Sequence, residues 1–242
     1  MRTKSLSLMV LLILGFSGSL LGEEEFGFEI GGFAGSSIWK ERNFQVGPPQ
    51  ASPPIDLNYK YDDKVVYGAR FNLMSRGHWG GEFSYSYQRN TLNLSRESAP
   101  SISPVELKGG IHHFFYNMIF YPLRYEKSKI IPFVTGGVGL GGYQLDNSAI
   151  AMAADPNGYA IGALKNIDKR FAYNYGLGIK GNLTPRIGVR GDFRHIFSDV
   201  PSYGLPKESA NPAQVVLPIQ GKLQSYEASI GIYFHISSGL KF

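Results

Sequence analysis

Eight charged residues stand at alternate positions in runs that are otherwise apolar or small: Glu29, Arg70, Glu82, Lys180, Arg190, Asp192, Arg194 and Glu227. In an extended chain successive side chains point to opposite sides. Each of these charges therefore shares a face with residues such as Asn72, Ser84, Gly178 and Ser229, and not with the Phe, Tyr and Ile between them. Four are basic and four acidic, so the set sums to zero. Charges withdrawn from water persist only when paired and hydrogen-bonded, which Arg achieves with two parallel N–H donors to one carboxylate. The chemistry open to these residues is thus mutual: an interior salt-bridge network. Arg194 and Glu227, on adjacent runs, are an expected pair, while Glu29, Arg70 and Glu82 fall on three consecutive runs. A pore that selects ions by charge carries an excess of one sign, so a zero sum favours a plug over a conducting lumen.

Little else is equipped for catalysis. Cys is absent, which removes thiol nucleophiles, thiolate metal sites and disulfides. A nucleophile and base on one face of a strand need a spacing of two. His235 and Ser237 have that spacing, whereas His195 and Ser198, three apart, fall on opposite faces. His78, in a turn, and the His112, His113 pair have no acidic residue or further His at metal-ligand spacing. No catalytic residue, metal or cofactor is expected, and the chain reads as a non-enzyme.

The elements that must position the charges are strands. The chain has 242 residues, 43% of them hydrophobic, 18% charged and 14% aromatic, with 30 Gly. That is too apolar for a disordered chain, and the longest apolar run is too short for a helical membrane span. Residues 1–22 have the three parts of a secretory signal: Arg2 and Lys4, the apolar run Leu6 to Phe16, then small residues, with cleavage after Ser19 or Gly22. Residues 23–242 form one domain. Without Arg2 and Lys4 the net charge falls from +5 to +3, too mild and too dispersed for nucleic acid.

A period of two recurs eight times in that domain. Val65, Tyr67, Ala69, Phe71 and Leu73 oppose Gly68, Arg70 and Asn72; Tyr226, Ala228, Ile230, Ile232 and Phe234 oppose Glu227, Ser229 and Gly231. Three features point the aromatic face toward lipid. The polar face mixes Gly and Ser with its charges, as the cramped inside of a small closed barrel requires. Connections alternate, with long ones at 40–63, 95–108, 143–169 and 198–222 and short ones at 75–78, 123–129 and 183–185. Aromatics stand at strand ends, among them Trp39, Tyr67, Trp79, Tyr121, Tyr143, Phe171, Phe197 and Tyr226, which suits interfacial girdles. The expected fold is all-β, an eight-stranded antiparallel up-and-down transmembrane β-barrel. Closure leaves no unpaired backbone in hydrocarbon.

The stretches PFVTGGVGLGGY (Pro132 to Tyr143), YNYGLGIKGNLTPRIGVRGDFRHIF (Tyr173 to Phe197) and ASIGIYF (Ala228 to Phe234) resemble the small outer-membrane barrel family typified by OmpA and OmpX. The resemblance covers essentially all of residues 23–242 and lacks the peptidoglycan-binding domain of OmpA. It implies a bacterial outer-membrane location, periplasmic termini and extracellular long loops. It also implies insertion by the outer-membrane assembly machinery, which reads a last strand ending at Phe234 or Phe242. Outer-membrane lipid and lipopolysaccharide are the implied partners, together with an unidentified surface ligand. Barrels that deacylate lipid A use a His-x-Ser pair facing the outer leaflet; His235 and Ser237 lie at the other end, and their flanking residues differ. The expected role is structural or cell-surface interaction through the long loops, with a small pore or conduit for small or hydrophobic solutes as the alternative. Of these loops, 47–56 is Pro-rich and stiff, and 148–164 is apolar enough to fold over the barrel mouth with a short helical turn.

Overall fold

The structure, a computed structural model, describes residues 27–46, 55–74, 77–95, 105–123, 129–153, 165–204 and 221–236. The expected signal segment lies outside the described residues. Among the described residues ten strands and one short helix follow in chain order: β1 (Gly27–Trp39), β2 (Arg42–Val46), β3 (Ile55–Tyr61), β4 (Lys64–Met74), β5 (Trp79–Ser95), β6 (Val105–Phe120), β7 (Ile130–Leu145), α1 (Asn147–Ala153), β8 (Ile167–Asn182), β9 (Ile187–Asp199) and β10 (Lys222–His235). Every pairing is antiparallel. Neighbours run β5-β4-β1-β10-β9-β8-β7-β6, and β6 returns to β5 to close an eight-stranded barrel. The helix is too short to cross a membrane.

Two expectations about the ends of the strands are corrected. The connection 40–63 is not a loop throughout: β2 and β3 form a hairpin, and β3 pairs with the upper end of β5 from Asn58↔Ser95 to Tyr61↔Leu92. There β3 continues the wall where β4 has stopped. Long strands β5 and β6 likewise carry the wall into the connection 95–108, because their alternation runs on past the apolar belt. The second correction concerns Trp39, Tyr121 and Tyr143, which turn inward and are at most 4% exposed. Their parity is that of Ser37, Asn117 and Gly141, and parity outranks nearness to a strand end. Tyr67, Trp79 and Phe171 do face outward.

Elsewhere the two faces separate by parity. Phe71, Phe83, Phe114, Leu177, Phe193 and Ile230 are exposed on the outside, while Arg70, Glu82, Asn117, Lys180, Arg190, Asp192 and Arg194 are buried inside. At the short-turn rim Tyr121 N–H donates to the His78 carbonyl at 2.7 Å, and Thr184 Oγ1 accepts from Ile187 N–H at 3.0 Å. Above that rim the lumen is filled in storeys. Met74, Ile119, Tyr121, Ile131 and Phe133 make a floor, and Phe115, Ala172 and Ile196 a small middle cluster. At the long-loop rim thirteen buried residues, Trp39, Tyr61, Leu92, Ile111, Tyr143, Ala149 and Tyr203 among them, make a roof. Ala149 belongs to α1, so the first part of the apolar segment 148–164 does fold over the mouth; residues 154–164 lie outside the described residues, as do 47–54 of the Pro-rich stretch.

Candidate functional site

Register sets the interior charges across the lumen from one another. Glu82 on β5 and the β9 residues Arg190 and Arg194 stand on opposite walls. Arg190 Nη1 lies 2.6 Å from Glu82 Oε2, and Arg194 Nη2 2.7 Å from Glu82 Oε1. Asp192, between the two arginines on β9, accepts from Arg190 Nε and Nη2, both at 2.8 Å, from Arg194 Nη2 at 3.1 Å, and from Arg70 of β4 at 2.9 Å. Two carboxylates thus hold three guanidinium groups. Asn117 Nδ2 donates to Glu82 Oε1 at 2.8 Å, and Asn174 Nδ2 donates to Asn117 Oδ1 at 2.8 Å. Arg70 Nη2 also donates to Ser229 Oγ at 3.0 Å. Nearer the floor Lys180 Nζ meets Glu29 Oε2 at 2.5 Å, and Asn72 Nδ2 donates to the same oxygen at 2.8 Å. These ties join β1 to β8, β4 to β9 and β5 to β9, so they brace the barrel across its diameter.

Two aromatic residues that the charge pattern does not reveal hold the arginines in place. The Phe33 ring occupies the space over Gly68, where a Cβ would stand 2.7 Å from Phe33 Cζ, and the Arg70 guanidinium lies 3.7 Å from the ring centroid. Phe133 does the same over Gly178, with Arg190 at 4.3 Å. A glycine on one strand thus makes room for a ring from another, and the ring face attracts the cation. The inward glycines of the alternation were the signal for this arrangement.

The expected pair Arg194–Glu227 does not form. Glu227 is directly opposite Arg194 in the β9–β10 register, but the guanidinium turns to Glu82 and Asp192. Among the described residues Glu227 has no ion-pair partner, and it is 4% exposed. Arg194 gains two carboxylates by crossing the lumen where Glu227 offers one. Glu29, Arg70 and Glu82, although on neighbouring strands, likewise meet their Lys, Asp and Arg counter-charges on β8 and β9. Three guanidinium groups against Glu82 and Asp192 leave one positive charge in surplus, and Glu227 balances it without contact.

The roof closes the other end with almost no charge. Tyr61 Oη lies 3.1 Å from Tyr59 Oη and 2.7 Å from Tyr203 Oη, and the Tyr143 hydroxyl bonds Ser198 Oγ. Trp39 reaches from β1 toward β6, with Tyr61 at 5.1 Å and His113 at 6.4 Å between ring centroids. The turn that carries Tyr203 is clamped by Asp168, whose Oδ2 accepts from Ser202 N–H and Tyr203 N–H, each at 2.8 Å, and from Arg170 Nη2 at 2.5 Å. Tyr203 has a φ of +48°, uncommon for a bulky residue, and the clamp holds it there. In this turn, outside the spanning strands, burial pushes the Tyr203 phenol above its ordinary pKa, so its hydroxyl keeps the proton. His195 and Ser198 face opposite sides of β9: Ser198 is buried inside and His195 lies among outward rings. Ser237 lies outside the described residues. No group of three or more His, Asp or Glu suited to a metal ion occurs among the described residues.

The sequence model of the outer membrane protein beta-barrel domain matches residues 8–214. The outer membrane protein OprG from Pseudomonas aeruginosa is similar in structure, with a TM-score of 0.60 at 13% identity, over 90% of this chain and 99% of that one. Neisserial surface protein A is similar at a TM-score of 0.46 and 11% identity, over 86% and 96% of the two chains. The N-terminal β-barrel domain of Pseudomonas aeruginosa OprF gives 0.44 and 14%, over 88% and 100%. No curated protein matches the sequence.

Proposed function

Since the chain belongs to the outer membrane protein beta-barrel domain family and is an integral protein of the bacterial outer membrane, we propose that it works there as a closed, non-enzymatic barrel. Its task is structural, or is one of contact at the cell surface through the long connections. The observation that carries this reading is the filled lumen: Glu82 and Asp192 bind three arginines across the barrel, and a separate aromatic roof lies above them. On this reading residues 1–22 are removed on export and the assembly machinery inserts the rest. The termini and short turns then face the periplasm, and the long connections stand among outer-leaflet lipid and lipopolysaccharide, where a surface ligand would meet them.

The test is planar-bilayer conductance of the refolded full chain. Silence is expected, and reproducible single-channel steps would overturn the reading. A conduit for small or hydrophobic solutes is the second reading, favoured by one observation: the roof is lined mainly by apolar side chains, and its Tyr203 turn is held largely by a single carboxylate, Asp168.

A further inference from the structure

The outer wall made by β8, β9, β10 and β1 carries three kinds of chemistry in one column. Across its lower part the register lines up Ile179, Gly191, Ile230 and Ala34, and one row up Leu177, Phe193, Ala228 and Ser36. The small residues Gly191, Ala34 and Ala228 leave an outward-facing groove of about 590 Å³ between larger apolar neighbours. The next row toward the long-loop rim is Tyr175, His195 and Tyr226, and it forms a platform centred on His195. The His195 ring lies 4.2 Å from that of Tyr226, 4.0 Å from Phe197 and 5.4 Å from Tyr175, whose hydroxyl is 3.0 Å from His195 Nδ1. Above the platform come two cations, Lys40 with Nζ 5.2 Å from the Tyr226 ring centroid and Lys222 with Nζ 5.6 Å from that of Tyr173. Lys222 shares its charge with Asp199 at 2.7 Å in an exposed pair, and Lys40 has no ion pair among the described residues.

The opposite wall makes the comparison. It too has an outward groove, of about 400 Å³ beside Phe71, Phe83, Phe114 and Leu140. Two rim cations on that side, Arg89 and Lys64, are already held by Asp146 and Asp62. Lys60 and Lys108 on that side are in no ion pair among the described residues; the β8–β1 wall differs in that both of its rim cations stand over outward rings, Lys40 over Tyr226 and Lys222 over Tyr173.

We propose that this column is a binding site for one lipid with an anionic, phosphate-bearing headgroup. The phosphate rests against Lys40 and Lys222, the polar neck against the ring platform, and one acyl chain in the groove over Ala228. Apolar grooves accept any acyl chain, so selectivity comes from the headgroup. Basic residues near a membrane surface attract anionic lipid with an energy that decays within a Debye length.

The experiment is native mass spectrometry of the refolded full chain in neutral detergent, with phosphatidylglycerol and phosphatidylcholine of identical acyl chains as probes. Wild-type protein is expected to retain phosphatidylglycerol about tenfold better, as two lysines near the surface allow. Lys40→Gln with Lys222→Gln should bring the two lipids within about twofold. Ala228→Phe should lower retention of both, and Arg89→Gln should change neither. An excess of inorganic phosphate should leave the lipid bound, and high salt should erase the preference in the wild type, which needs no variant to fold. Equal retention of the two lipids by the wild type would overturn the proposal, as would an unchanged preference in the double variant, an equal loss in Arg89→Gln, or displacement by inorganic phosphate. Conductance reports on the lumen separately, so failure here leaves the closed-lumen reading standing.

Discussion

The ion cluster around Glu82 and Asp192 and the tyrosine roof around Tyr61 and Tyr203 fill the cross-section of one barrel with different materials. In the cluster, walls that are far apart in sequence are tied by charge, through contacts such as Arg70–Asp192 and Arg194–Glu82. In the roof the contacts are ring edges, phenol hydroxyls and aliphatic side chains, with carboxylates at its margin: the Asp168 clamp, and Asp63 Oδ1 accepting from Trp39 N–H at 2.8 Å. A buried charge makes each partner indispensable to the others, because losing one strands the rest in a low dielectric. Neutral hydrogen bonds and apolar contacts are individually small, and a neutral group left without its partner costs less than a stranded charge. The cluster should therefore fail sharply under single substitutions, and the roof should loosen by degrees.

The sharpest break is expected at Glu82. Glu82→Gln keeps the shape but leaves Arg190 and Arg194 with Asp192 alone, which Arg70 also uses. A loss on the order of 3 to 5 kcal/mol is expected in urea refolding into detergent or lipid. Combining it with Arg194→Gln should cost less than the sum of the two single changes, by at least about 1 kcal/mol. Strictly additive losses would show that the charges do not act as a unit.

A smaller effect is expected at the roof. Asp168→Ala removes an acceptor shared by two backbone N–H groups and a guanidinium, which should cost about 1 to 3 kcal/mol. Hydrogen exchange should speed up at the amides of Ser202 and Tyr203 and stay slow in β9 below them. Conductance should remain silent, because the cluster still closes the lumen; channel steps from this variant alone would show that the roof is the only barrier.

How far each region could be read in the sequence follows from the same contrast. Every cluster residue was legible because alternation is a local property: Arg190, Asp192 and Arg194 are two apart, and parity puts all three inside. Their partners were not legible. Pairing across a lumen depends on barrel shear and on which rotamer reaches farther, and neither is written along one strand. The roof was nearly invisible. Tyr59 and Tyr61 lie in a stretch that reads as a long connection, and Tyr203 enters the roof through a turn with positive φ that no periodicity marks. Trp39 and Tyr143 stand at strand ends, where a girdle residue is expected, and only their parity with Ser37 and Gly141 marks them as inward. Phe33 and Phe133 show the intermediate case, since their places follow from glycines on other strands that the alternation did mark.

Glu227 gives the smallest expected effect and the finest test of the contrast. It is buried, 4% exposed against 0% for Glu82, and faces Arg194 in register, yet it has no ion-pair partner among the described residues. Its charge acts on the arginines only from a distance, while its own desolvation is not offset by any contact. Gln at this position would remove both the long-range attraction and the desolvation cost, which act in opposite directions. Glu227→Gln is therefore expected to change refolding stability by no more than about 1 kcal/mol, in either direction. The comparison with Glu82→Gln is made between the same two side chains in the same lumen, so it isolates contact from burial. A loss at Glu227 as large as that at Glu82 would mean that Arg194 divides its N–H donors between both walls, and that the network reaches upward to the roof.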